Sequence, residues 1–276
     1  AKWSDIDMAD HFLNGVQKYI KDNKDKPFFL YYPMQQPHVP RTPHPRFKGL
    51  SELGPRGDAI VEADWCLGEL KKTLEEEGIL ENTLIIFSSD NGPVLNDGYY
   101  DDSDVKNGSH TPWGPYRGGK YSLFEAGTRV PFFTYWKGKI KPGVSDTMVS
   151  QLDLLSSLAQ LVGSEVRTED SLPLLELLMG QSNYGRKEMV IEATSRTAFK
   201  RGDWVMIPPY EGFAVNDKVK IELGNDPEFQ LYNLSNDVGQ QNNLALQKPK
   251  KLQEMLLAFE AIRGKDYRKT EKLELK

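Results

Sequence analysis

The sequence predicts an α/β protein with a mixed, largely parallel sheet flanked by helices. A small C-terminal α+β subdomain with an antiparallel sheet and a terminal helix follows it. Three observations lead there. Apolar runs at residues 27–32, 83–89 and 130–136 are separated by segments whose apolar residues recur at helical spacing, the strand–helix–strand pattern of a parallel sheet. After Gly163 the runs become shorter and the composition shifts. A last stripe at residues 249–263 carries Leu252, Leu256, Phe259 and Ile262 at helical intervals and closes the unit.

Each element has a local reason. Residues 5–23 place Ile6, Met8, Ala9, Phe12, Leu13, Val16, Tyr19 and Ile20 on one helical stripe, with Ser4 or Asp5 as cap. Residues 27–32, Pro-Phe-Phe-Leu-Tyr-Tyr, are apolar without polar alternation and read as a strand buried on both faces. A proline-rich loop follows, bearing His38 and His44. Residues 57–77 repeat the helical pattern, and Gly78 supplies the glycine that ends it. The strand at 83–89 runs into Asp90-Asn91-Gly92-Pro93, and residues 94–119 form a long polar loop of the kind that carries function. A third strand at 130–136 and a helix at 151–162 complete this part. Residues 164–187 read as linker with a short helix; 188–193, 198–207 and 229–234 as shorter strands; 265–276 as a charged, fraying tail. The expected division is 1–163, 164–187 and 188–276.

Composition removes several classes. The 38% hydrophobic content supports a core and excludes wholesale disorder. A net charge of −5, without a basic block, gives no nucleic-acid surface. No apolar run approaches the ~18 residues of a membrane span. Cys66 stands alone, which excludes an internal disulfide and a cysteine-based zinc site. Its place beside Trp65 on a predicted helix makes it inert packing.

The chemistry-bearing residues lie in loops. Asp90 and Asn91 end a predicted strand, at the sheet edge where α/β proteins bind ligands, and offer hard oxygens suited to calcium or magnesium; the bland alternative is a simple turn. Lys120 closes Gly114-Pro-Tyr-Arg-Gly-Gly-Lys120-Tyr, which imitates a phosphate loop. Tyr121 replaces the magnesium-binding hydroxyl and Pro115 removes an amide, so that assignment fails and a lysine in a glycine-rich context remains. His38, between Pro37 and Pro40, is a proton donor or anion contact, or else an ordinary loop histidine. His110 carries the same two readings. Trp113 and Tyr116 either stack on a sugar or pin the loop, and Asn107 and Asn233 begin glycosylation sequons.

In chain order these pieces resemble a known family. Lys26-Pro-Phe-Phe-Leu-Tyr-Tyr32 with Pro37-His38-Val-Pro40, Phe87-Ser-Ser-Asp90-Asn91-Gly92-Pro93, and Gly118-Gly-Lys120-Tyr-Ser-Leu-Phe-Glu125-Ala-Gly127-Thr-Arg129-Val-Pro131 are similar to the type I sulfatases of the alkaline phosphatase superfamily. Phe229-Gln-Leu-Tyr-Asn-Leu-Ser-Asn-Asp237 looks like the close of the same family's C-terminal subdomain. The resemblance implies an alkaline phosphatase-like fold and a calcium-dependent sulfuric ester hydrolase. Asp90 and Asn91 match calcium ligands, His38 and Lys120 match sulfate contacts with catalytic roles, and Arg129 matches a structural arginine. The substrate implied is a sulfated sugar, read by the loop at 94–119, with His110 as a sugar contact, and by Arg41, His44 and Arg46. The compartment implied is periplasmic, secreted or lysosomal.

The sequence departs from the pattern in one respect. It holds no Cys-x-Pro-Ser-Arg, the signature whose cysteine becomes the formylglycine nucleophile, and Cys66 in Asp64-Trp-Cys66-Leu-Gly68 does not match it. The early Asp-Asp pair and a lysine–histidine pair are missing too. The expectation is therefore the later part of a longer enzyme, partnered by the missing N-terminal half and inactive alone. Two rival readings stand beside it: a non-catalytic anion- or glycan-binding remnant, and a related phosphatase or phosphonate hydrolase.

Overall fold

In the computed structural model, which describes residues 4–166 and 168–266, the chain divides into two units. The first comprises Ala1–Ile85, Val94–Pro112 and Tyr135–Gly138; the second comprises Ile86–Pro93, Trp113–Thr134 and Lys139–Lys276. The charged tail expected to fray lies mostly outside the described residues.

In the first unit, helix α1 (Met8–Asn23) buries Ala9, Leu13, Val16 and Ile20, the i, i+4, i+7 face that the stripe predicts. Its N-cap is Asp7, and the Ser4 hydroxyl donates to that carboxylate at 2.8 Å. Helix α2 (Gly54–Glu76) starts three residues before the predicted position. Pro55 lies in its first turn, where a missing N–H costs nothing. Asp58 near its start accepts from the amides of Gly49 and Ser51, both at 2.9 Å, and so folds the preceding loop onto the helix.

The segment at 27–32 is not a doubly buried strand. It is extended and pairs with no neighbour among the described residues. Phe28, Leu30 and Tyr32 pack with Val16, Ile20, Leu74 and Leu80, while Phe29 and Tyr31 are 73% and 77% exposed. Within this unit only one face of its two-residue period meets apolar partners.

Most of the strand pair β1 (Ile85–Ser88) and β2 (Phe132–Tyr135) lies in the second unit, with Phe87 stacked on Phe133 at 4.8 Å; the end residues Ile85 and Tyr135 fall in the first. Between them in sequence comes a short helix of the first unit, α3 (Ser103–Lys106), inside the long polar loop. Helix α4 (Asp153–Leu161) and the short α5 (Leu175–Leu178) follow β2. Asp153, fully buried, accepts from both Nε and Nη2 of Arg186 at 2.8 and 2.7 Å, which closes the segment before β3 back on α4.

The chain then forms an antiparallel sheet in the order β3 (Glu188–Ala193), β4 (Arg196–Arg201), β5 (Trp204–Ile207), β8 (Gln230–Asn233). A two-stranded ribbon, β6 (Val215–Asn216) and β7 (Ile221–Glu222), is inserted before β8, and α6 (Pro249–Arg263) closes the chain. The predicted strand at 198–207 is two strands joined by a turn at Gly202. The sheet is buried on both faces. Phe199, Met206 and Leu231 meet Met255 and Phe259 of α6. Their neighbours Ala198, Val205 and Tyr232 face Leu123 and Phe124 on the other side. The loop bearing Lys120 is thus plugged into the sheet by the two apolar residues that follow it.

Candidate active site

Three segments of the second unit meet at one cleft. β1 delivers Asp90-Asn91-Gly92-Pro93, the loop at 118–122 delivers Lys120, and Ala126-Gly127-Thr128 passes between them. Their main chains are stitched together: Gly92 N–H donates to the Gly127 carbonyl at 2.9 Å and Lys120 N–H to the Pro93 carbonyl at 3.0 Å. The approach is too close for side chains. A Cβ on Gly92 would lie 1.7 Å from the Ala126 carbonyl oxygen, and one on Gly127 would lie 2.1 Å from that of Ser122. The glycines of both motifs are packing requirements of the site.

The cleft, of about 210 Å³, is lined by Asp90, Asn91, Lys120, Tyr121, Ser122, Thr128, Glu192 and Thr194, among others. Asp90 Oδ1 accepts from the amide of Asn91 at 2.9 Å. The Asn91 amide nitrogen donates to the Gly92 carbonyl at 2.9 Å, which turns its oxygen away from that bond. Asp90 Oδ2 and Asn91 Oδ1 accept no hydrogen bond among the described residues, so the pair offers two hard oxygens on one turn. This donor set fits a calcium-type cation, though two oxygens fall short of the six to eight such an ion takes. No group of three or more histidine, cysteine or acidic residues suited to a metal occurs among the described residues.

Lys120 is half-buried, with Nζ 5.2 Å from the centre of the Tyr121 ring. Tyr121 adopts φ +77°, left-handed backbone at a non-glycine, in a turn closed by Ser122 N–H to the Gly119 carbonyl at 3.0 Å. Anchors behind the cleft hold this turn. Arg117 donates to both carboxylate oxygens of Glu222 at 2.8 and 2.5 Å and to the Gln240 carbonyl at 2.8 Å. The hydrogen-bonded Arg117 holds the Glu222 carboxyl below the usual range. Glu125, 3% exposed, takes ion pairs from Arg129 and Lys200. Arg129 also covers the Tyr116 ring at 4.7 Å, which is the structural role its motif implied.

The predicted site residues therefore divide. Asp90, Asn91 and Lys120 share a cleft; His38 and His110 belong to the first unit. His38 is exposed, with Nδ1 2.6 Å from the Val39 carbonyl and Nε2 4.0 Å from Asp97 Oδ2. A carbonyl only accepts, so Nδ1 donates the hydrogen there. His110 is exposed, and its carbonyl accepts from the Asn107 side chain. That bond and 3% exposure bury the first sequon asparagine.

The arginines expected to read substrate do other work. Arg41, its side chain 1% exposed, donates to the carbonyls of Pro37, Val94 and Leu95 and to Asp101 and Ser103. It ties the His38 loop to the start of the polar loop. Burial alone would raise the Asp101 carboxyl, but bonds from Ser103 and Arg41 outweigh it and hold it low. Arg46 forks onto Asp10 at 2.7 and 2.5 Å and stacks on Trp65. Cys66 is fully buried, and burial pushes its thiol up to about 11. Sequence reasoning missed Glu192 and Thr194, because a hairpin about 70 to 100 residues from the motifs gives no local sign of facing them.

The chain is similar to known proteins along most of its length. The sulfatase family model matches residues 4–164, more than half of the chain. The chain is 43% identical over 267 residues to an N-acetylgalactosamine-6-O-sulfatase of Bacteroides thetaiotaomicron, covering 95% of this chain and 52% of that protein. It is 36% identical over 168 residues to human arylsulfatase A, covering 60% of this chain and 31% of that one. Among solved structures, one from work on glycosaminoglycan metabolism by Bacteroides thetaiotaomicron superposes with a TM-score of 0.92 at 42% identity, over 95% of this chain and 56% of that one. The PsFucS1 sulfatase of Pseudoalteromonas sp. superposes at 0.78 and 26% identity, over 96% and 55%. The chain spans about half the length, or less, of these relatives. With a matching family model, an α/β fold superposing on solved sulfatases and the glycine-stitched turns that carry Asp90, Asn91 and Lys120, the chain belongs to the sulfatase family.

Proposed function

We propose that these residues form part of a sulfuric ester hydrolase acting on a sulfated carbohydrate. The observation that carries this reading is the convergence of Asp90, Asn91 and Lys120 on one cleft in a chain of the sulfatase family. The similarity to an N-acetylgalactosamine-6-O-sulfatase supports a sulfated amino sugar as substrate. Residues 1–163 would be the later part of the catalytic domain, 164–187 a linker and 188–276 the C-terminal subdomain. The family's export or lysosomal destinations would be its compartment. Among the described residues no helix is long and apolar enough to cross a membrane.

A sulfate ester carries one negative charge, and charge builds on the bridging oxygen as the S–O bond breaks. Lys120, fixed through its own amide to Pro93, places a cation against the non-bridging oxygens. Asp90 and Asn91 would hold calcium. When bound, that ion stabilises negative charge on the sulfuryl oxygens. By its motif His38 takes the contact near the leaving oxygen, and His110 a contact to the sugar. None of the 276 residues matches the expected formylglycine, so this reading gives the chain a contribution to the site and not the whole of it. In the complete enzyme, Asp90→Ala and Lys120→Ala should each lower kcat by about a hundredfold or more, as for loss of a main charge-stabilising group. Wild-type rates in either variant refute the roles, and turnover of an aryl sulfate by these 276 residues alone refutes the incomplete site.

A further inference from the structure

The cleft has a flank that the sulfatase motifs leave unassigned. β3 and β4 are joined by a two-residue turn, Thr194-Ser195, between the paired residues Ala193 and Arg196. Both turn residues have positive φ, +50° and +63°. This is the primed geometry that matches strand twist, built from residues poorly suited to it. A β-branched residue in left-handed backbone persists only where the surroundings over-determine it. Here six register pairs run the length of the hairpin. Tyr210 braces it by accepting from Thr197 N–H at 3.0 Å, and Arg196 donates to the Glu211 carbonyl at 2.8 Å. A rigid ribbon therefore presents Glu192 and Thr194 to the cleft that Asp90, Asn91 and Lys120 line.

Glu192 is exposed, and its carboxylate accepts no hydrogen bond from any described residue. It also lines the adjoining cleft of about 410 Å³ beside Asp90 and Gln151. The cleft is thus polarised, with a lysine on one flank and an unengaged carboxylate on another. A carboxylate accepts from hydroxyl or amide N–H groups and repels anions. We infer that Glu192 is a specificity-determining residue: it accepts a hydrogen bond from an uncharged donor beside the sulfate ester and disfavours a second anionic group at that position. The inference rests on the sulfatase reading above and adds a preference for singly sulfated sugar units.

The test uses the complete enzyme and two probes, N-acetylgalactosamine carrying one sulfate at the 6-position and the same sugar sulfated at both 4- and 6-positions. The ratio of kcat/KM for the disulfated over the monosulfated probe should rise at least about tenfold in Glu192→Gln, or 1.4 kcal/mol. Glu192→Ala should shift it in the same direction. Glu228→Gln removes the same charge at an exposed position outside both clefts and should leave the ratio unchanged. An unchanged ratio in both Glu192 variants, with an active wild type, overturns the Glu192 role alone. An equal shift in Glu228→Gln makes the effect one of net charge and overturns it as well. A wild type that cleaves neither probe nor an aryl sulfate overturns the functional reading and this inference with it.

Discussion

Gly92→Ala tests whether the cleft depends on main-chain contact between motifs. The added Cβ would lie 1.7 Å from the Ala126 carbonyl oxygen, 2.8 Å from its carbon and 3.1 Å from Gly127 Cα, all backbone atoms without a rotamer to yield. Carbon and carbonyl oxygen approach to about 3.3 Å at closest, so the two loop segments must part by roughly 1.5 Å. That displacement breaks the Gly92–Gly127 hydrogen bond, now 2.9 Å, and strains the Lys120–Pro93 bond at 3.0 Å. A lost bond with a stranded buried partner costs about 1–3 kcal/mol, and overpacking adds about 1–3. A total of about 2–6 kcal/mol lowers the melting temperature by roughly 4–24 °C for a chain of this size. Circular-dichroism melting of the 276-residue chain reads it directly. Gly15→Ala is the matched control, because Gly15 lies inside α1 with nothing within 4 Å of its would-be Cβ. That change should stabilise by about 0.5–1 kcal/mol. If Gly92→Ala melts within 2 °C of wild type, or both variants move the same way, the close-approach argument is wrong.

Three further outcomes are expected. Replacing Thr194-Ser195 with Asn-Gly, the pair suited to this turn, should raise the unfolding free energy from denaturant titration by about 1–2 kcal/mol, and a fall would show that the turn is not strained. Cys66 should resist iodoacetamide at pH 8 in the folded chain and react once unfolded, since its thiol is buried and raised to about 11; native labelling read by mass spectrometry would contradict its placement. The Arg117–Glu222 pair holds a carboxyl whose folded pKa is depressed, so its stabilisation is present above the unfolded value near 4.3 and is lost as pH falls through the lower folded value. Melting across pH should show a wild-type advantage over Glu222→Gln at pH 7 that disappears in acid, and a constant gap would remove the linkage.

Much of the site was legible because its motifs are local. Asp90 and Asn91 follow a strand directly, and Lys120 lies in a glycine-rich turn whose glycines the packing explains. The fold class and the C-terminal strands were legible from apolar runs, and β3 and α6 begin and end as expected. What was not legible depends on partners distant in sequence. Arg41 and Arg46 look like solvent-facing readers in a polar loop, yet Asp101 lies 60 residues from the first and Asp10 lies 36 from the second. The run at 27–32 looks doubly buried because its residues are apolar, and no sequence period distinguishes a covered face from an exposed one. Glu192 reads as a surface residue of a strand, and only the hairpin's path brings it to the cleft.

The anchors of the lysine turn have a consequence for how the protein is made. Ser122 Oγ donates to the Glu222 carbonyl at 2.6 Å, Arg117 reaches Glu222 and Gln240, and the Glu125 amide donates to Gln240 Oε1 at 2.7 Å. Gln240 is translated 120 residues after Lys120. At roughly 5–20 residues per second this half of the cleft stays without its clasps for about 6–24 s of synthesis. Leu123 and Phe124 have no sheet to enter until β3, β4 and β5 are made, the last of these ending at Ile207. The Lys120 turn is among the last parts of the second unit to receive its clasps, and a ribosome stalled before Gln240 would display the motif without them.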